Sequence, residues 1–201
     1  MKKTKKVLLA VMSLVLVAAI SVMGTLAYIK TQTGPVTNTF AVGNIQITLD
    51  EAPNDYDAAK GLPGYNTVEG DRVTQNQYKL MPGHAKYPKD PTVHVKAGSE
   101  KCYVFVKVEN GIAEIEKDTT IEAQIIAYGW TKLKDGIYWK TQEAVLAGAK
   151  DVDLVVFSTF SIKDDADVDA YKDASIKVTA YAIQFEGPKD AADAWTQGGW
   201  E

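Results

Sequence analysis

In 201 residues the chain has one cysteine, Cys102, and two histidines, His84 and His94. A single thiol excludes an internal disulfide, so stability in an oxidising compartment has to come from packing or assembly. The histidines stand ten residues apart and make no His-Glu-x-x-His pair of the kind that presents zinc ligands on one helix face. No Gly-x-Ser-x-Gly elbow, phosphate-cradling glycine loop or dinucleotide fingerprint occurs, and no repeat of 20 to 50 residues that would make a solenoid or propeller. The expectation is a protein without catalytic residues and without a cofactor.

The few reactive side chains fit structural roles. His84 lies in the turn-forming Pro82-Gly83-His84, and His94 reads as an exposed strand residue whose neighbours Val93 and Val95 point the other way. The alternative is a metal site shared by the two. Cys102 belongs to the most apolar run of the chain, where desolvation raises a thiol's pKa, and reads as a packing residue.

What is present begins with a leader. Lys2, Lys3, Lys5 and Lys6 precede an apolar run from Val7 to Met23, and Gly24-Thr25-Leu26-Ala27 closes it with small residues. This is the pattern of a secretory signal peptide, residues 1–27, cut between Ala27 and Tyr28. The competing reading is an uncleaved anchor, because 17 apolar residues at 1.5 Å each approach the roughly 30 Å of a hydrocarbon core. Four of the 22 basic residues go with the leader, which leaves 18 against 26 acidic ones and a charge of −8. An acidic secreted domain repels phosphate backbones and anionic lipid, so no nucleic-acid partner is expected, and contact with a membrane only through the uncut leader.

The rest predicts an all-β fold with about seven or eight strands, enough for a two-sheet antiparallel sandwich with one or two short helices. Residues 41–201 form this domain. In Asn44 to Leu49, Ile45, Ile47 and Leu49 share one face. Asp50 to Gln77, rich in Gly, Pro, Asn and Asp, is a long surface excursion with a turn of helix near Tyr56 to Lys60. Thr92 to Val95 and Lys101 to Val108 are expected to pair as a hairpin through Lys96-Ala97-Gly98-Ser99, the second of them central because both its faces are apolar. Thr119 to Tyr128 predicts a short helix, and Lys134-Asp135-Gly136 a hairpin between Trp130–Leu133 and Ile137–Thr141. Leu154 to Ile162 and Ser175 to Glu186 are further strands, and Ala191 to Trp195 a helical turn with Trp195 over one end of the core.

Two clusters invite a binding role. Asp165, Asp167 and Asp169 alternate like ligands of a calcium loop, but Ala170 stands where an EF-hand needs glycine and Ile176 where it needs glutamate, so a solvated acidic loop is the plainer reading and weak calcium binding the alternative. Trp130, Tyr138, Trp139, Trp195 and Trp200 fit hairpin and core positions better than a carbohydrate platform.

The leader end Gly24-Thr25-Leu26-Ala27-Tyr28 and the following Asn38-Thr39-Phe40-Ala41-Val42-Gly43-Asn44-Ile45 resemble the processing junction of the TasA and camelysin family, Gram-positive proteins matured by a SipW-type signal peptidase. Lys79-Leu80-Met81-Pro82-Gly83, Lys89-Asp90-Pro91-Thr92-Val93, Cys102 to Val108 and Ala180-Tyr181-Ala182-Ile183-Gln184 extend the likeness over most of the chain. The resemblance implies a jelly-roll-like sandwich secreted into a biofilm matrix or onto the cell surface, with that peptidase, matrix accessory proteins or polysaccharide as partners. Camelysin-like relatives are described as metalloproteases, an activity for which no zinc motif stands here. The long excursion departs from TasA.

Sheet physics adds a mechanism. Cleavage frees an N-terminal arm, residues 28–40, with β-forming Tyr28, Ile29, Thr31, Thr33, Val36, Thr37 and Thr39. Such an arm can add as a donor strand to the open sheet edge of a second copy, which makes a homopolymer, and the leader blocks this until it is cut. A secreted metalloprotease would instead cleave casein and lose that activity to a chelator. A monomeric surface-binding module would do neither.

Overall fold

The computed structural model describes residues 44–84 and 86–200. Residues 1–27, expected to be a signal peptide, and 28–40, expected to be an N-terminal arm, lie outside them. The domain is mostly β, with antiparallel sheets and two short helices, as a sandwich-like all-β fold requires.

Among the described residues nine strands occur: β1 (Ile47–Asp50), β2 (Tyr87–Pro88), β3 (Thr92–Val95), β4 (Cys102–Asn110), β5 (Thr131–Lys134), β6 (Ile137–Gln142), β7 (Val152–Val155), β8 (Thr159–Phe160) and β9 (Ile176–Gln184). They form a sheet β1-β3-β7, a sheet β5-β6-β4-β9 and the small pair β2-β8, with every neighbour antiparallel.

Period-2 patterning explains the layering. Along β4, Cys102, Val104, Val106 and Val108 face the main core, which they share with Val93, Val95, Phe157, Phe160 and Ile162. Tyr103 and Phe105 point to the opposite face, where helix α2 (Ala191–Gly198) covers them with Ala191, Ala194 and Trp195. Both faces of β4 are therefore dry, as its continuous apolar run predicts. Trp195 lies on the outer face of the sheet and not over an end of the core: its ring centroid is 5.4 Å from that of Phe105 and 5.5 Å from that of Tyr181.

Helix α1 (Ile121–Ala127) forms where its composition predicts. The Thr120 hydroxyl accepts from the Ala123 amide, and the Glu116 carboxylate accepts from the Ile121 amide at 2.9 Å, so two of the four orphan donors of the first turn are satisfied. The β5–β6 hairpin also forms, with a register shift between Lys132 and Lys134. Gly136 takes φ +70° in its turn, and a Cβ there would stand 2.9 Å from the Val108 carbonyl oxygen, so only glycine fits.

Three further expectations fail. β3 and β4 are not a hairpin, because each is the inner strand of a different sheet and already has a partner on both sides. The Lys96–Ser99 connection crosses between sheets, held by bonds from the Lys96 amide to the Gln46 carbonyl, from Gly98 to Val145 and from Glu100 to Asn44. Leu154–Ile162 is not one strand: β7 and β8 belong to different sheets, with a break at Val156–Ser158. Residues 56–60 are no helix. Asp57 and Leu62 form a bridge, and the Asp57 carboxylate accepts from the amides of Ala59 and Lys60, which closes a turn.

The excursion is folded on itself. Nested antiparallel bridges Glu51–Val73, Asn54–Thr67 and Asp57–Leu62 make it an irregular hairpin standing off the end of β1. Asp55 binds the backbone amide and the side-chain amide of Asn66, and Asn76 ties its base to Asn54 and Ala52. Polar side chains thus do the work that a ladder does elsewhere, which explains how 28 residues with few apolar side chains hold a shape.

Candidate functional site

The strand edges differ in how open they are. β5 is short, bulged and carries Lys132 and Lys134, features that discourage pairing with another chain. β7 is four residues long, contains Asp153 and follows Asp151. β9 has nine residues, of which only Lys177 is charged, and among the described residues it pairs on one side only, with β4. Every second residue of an antiparallel edge strand directs its N–H and C=O away from its partner, so β9 offers a row of outward donors and acceptors about 30 Å long.

Beside β9 lies a cleft of about 830 Å³ between the edge strands of the two sheets. Ile176 and Val178 of β9 form one wall, Leu49, Asp50 and Glu51 of β1 the other, and Leu80, Ile112 and Phe160 line it with apolar surface. Gln75, Gln77, Tyr171 and Lys172 add a polar rim. Ile176, Val178 and Ala180 also pack against the main core, and Tyr181 and Ile183 against the second cluster, so the edge is a fixed part of the sandwich.

The β1 wall is braced by ionic contacts. Glu51 and Lys89 pair at 2.7 Å with side chains 6% and 11% exposed. Tyr78 donates to the Pro88 carbonyl at 2.7 Å, and burial holds its phenol far above the ordinary tyrosine value, so it stays a neutral donor. Arg72 reaches from the excursion to the carboxylates of Asp50 and Asp90. Desolvation works against the charge of Asp50, but its hydrogen bonds to Arg72 and His94 outweigh that and lower its pKa.

His94 departs from expectation. Its side chain is only 13% exposed, with Nδ1 2.6 Å from Asp153 and Nε2 2.8 Å from Asp50. Sequence pattern missed this because the carboxylates come from two other strands, brought alongside by the registers of β1 and β7 on β3. His84 stacks on Tyr65 with ring centroids 3.7 Å apart and meets Tyr87 at 4.6 Å, whereas His94 is held between Asp50 and Asp153.

Among the sequence-predicted site residues, Ala27, Tyr28, Ile29, Thr31, Thr33, Val36 and Thr39 lie outside the described residues. Asp165, Asp167 and Asp169 are all exposed, and the last belongs to the 3-10 turn Val168–Tyr171. Among the described residues no group of three or more His, Cys, Asp or Glu side chains is placed to hold a metal ion. The aromatics form no common platform: Trp130 and Tyr138 lie in the main core, and Trp139, Trp195 and Trp200 in the cluster under α2. Cys102 is fully buried, and desolvation pushes its thiol up to about 11. No helix among the described residues is long and apolar enough to cross a membrane.

No family model, curated protein or solved structure matches the chain.

Proposed function

We propose that this is a secreted, non-catalytic structural protein that builds extracellular fibres or biofilm matrix, each copy lending its N-terminal arm to the sheet edge of the next. The observation that carries the reading is β9: a nine-residue, nearly uncharged edge with one side unpaired among the described residues, beside a cleft lined by apolar side chains. An unprotected edge of this length is a liability that soluble monomers avoid, and one that strand addition uses.

Length and chemistry support the match. The arm of 13 residues reaches up to about 43 to 47 Å when extended, enough to run the whole of β9. Its Tyr, Ile, Val and Thr residues suit a strand whose one face enters the cleft, and Pro35 fits an added strand only where its missing N–H points away from the ladder. On this reading the leader keeps the arm's start tethered until a SipW-type peptidase cuts before Tyr28, as the resemblance to the TasA and camelysin family implies.

The test is electron microscopy of the chain starting at Tyr28. Filaments should grow with concentration, and deletion of Tyr28 to Thr37 should remove them while leaving circular dichroism and melting unchanged. A free peptide of residues 28–40 should cap edges and shorten the filaments. Filaments that persist in the deletion variant overturn the proposal.

A further inference from the structure

The ring of His94 bridges two carboxylates on different strands. Nδ1 meets Asp153 of β7 and Nε2 meets Asp50 of β1. An ionised carboxylate only accepts hydrogen bonds, so both contacts are satisfied together only when both ring nitrogens carry protons. We infer that His94 is a proton-operated latch: as an imidazolium it ties β1 to β7 across β3 and steadies Asp50, and loss of its proton loosens the β1 wall of the cleft and the root of the excursion.

The connections beyond the ring give the latch its reach. Asp50 also binds Arg72, and Arg72 continues to the carboxylate and carbonyl of Asp90. Next to Arg72, Val73 exchanges two backbone hydrogen bonds with Glu51, both 2.8 Å, which is where the excursion joins the sheet. A neutral ring can donate from one nitrogen only, so loss of the proton sets one carboxylate against a lone pair. Either outcome weakens the node: a free Asp153 unties β7, and a free Asp50 leaves Arg72 as its one charged partner.

The charged groups around the ring favour the cation. Asp50 and Asp153 touch it, Asp151 lies within electrostatic reach, and Lys96 is already paired with Asp151 at 3.0 Å. Arg72, the nearby positive charge, is engaged by Asp50 and Asp90. Burial of the ring opposes its charge, but the hydrogen bonds to Asp50 and Asp153 prevail and raise its pKa above the ordinary 6.5. The latch rests on these bonds and not on the strand-addition reading, which can fail without touching it.

The test is nitrogen-15 NMR of the imidazole rings in the full chain, with a His84→Gln variant to assign the two histidines. The expected result is both His94 nitrogens protonated at pH 6.5 and a titration midpoint clearly above that of a free histidine. Amide exchange at Glu51 and Val73, corrected for base catalysis, should quicken about tenfold on passing that midpoint, the effect of losing one charge-assisted hydrogen bond. Asp153→Asn, at a side chain 63% exposed, should leave the fold intact and move the midpoint down. A His94 ring with one bare nitrogen at pH 6.5, or a midpoint indifferent to Asp153→Asn, overturns the inference.

Discussion

The side-chain oxygen of Gln124 accepts a hydrogen bond from the backbone amide of Ser158 at 3.2 Å, and a second from that of Thr159 at the same distance. The amide nitrogen of Gln124 donates to the carbonyls of Thr119 and Thr159. One buried side chain thus serves the backbone where the chain leaves β7 and enters β8, and takes the place of the ladder that a continuous strand would have there. Gln124→Ala should lower stability by roughly 1 to 3 kcal/mol, because it leaves the half-buried backbone groups of Ser158 and Thr159 without their partner. Denaturant melts measure the loss, and exchange at Ser158 and Thr159 should quicken first. A change below about 0.5 kcal/mol would show that water replaces the amide.

Glu51 and Lys89 form the most deeply buried ion pair among the described residues. Glu51→Ala leaves an uncompensated ammonium and should cost about 3 to 5 kcal/mol, whereas the double change Glu51→Leu with Lys89→Met should cost much less. Chemical denaturation of the three variants gives the comparison. Equal losses in the single and double variants would mean that packing, not charge, is what matters there.

Cys102 should be silent in the native protein. With full burial and a thiol pushed up to about 11, it should resist a thiol-reactive dye at pH 8 and react at once in denaturant. Rapid native labelling would place β4 nearer the surface than its two covered faces allow.

Stability should form a plateau in mildly acid solution. Asp50 has a lowered pKa, so its contribution is complete above the ordinary carboxylate range and lost as pH falls through the lowered value. His94 has a raised pKa, so its contribution is complete below about 6.5 and lost as pH rises through the raised value. Melting temperatures followed from pH 3 to pH 9 should therefore peak between about pH 4 and 6.5, and the alkaline decline should vanish in His94→Gln. A steady rise to pH 8 would contradict this assignment.

Much of the architecture was legible because it rests on local pattern. The double-faced apolar run of β4, the Asp135-Gly136 hairpin and the Thr120-capped helix each carry their instruction within a few residues. The misreadings occur where a distant group intervenes. Lys96–Ser99 looks like a hairpin turn, yet the carbonyls of Asn44 and Gln46 and the loop at Val145 capture its amides. Leu154–Ile162 looks like one strand until Gln124, more than 30 residues upstream, takes over its middle. The site divides in the same way: the β-forming content of residues 28–40 can be read from the residues themselves, whereas the one-sided pairing of β9 among the described residues has no local signature, because whether a strand is inner or outer depends on what stands next to it.

Composition and periodicity alone determined an acidic, all-β domain without an internal disulfide, since charge, cysteine count and side-chain alternation belong to the chain in any conformation. Tertiary structure decided that β9 ends its sheet, that a cleft opens between β1 and β9, and that His94 sits between Asp50 and Asp153. The physical reason is that edges, clefts and ion clusters are properties of neighbours far apart in sequence, and strand register sets them only once the sheets have closed.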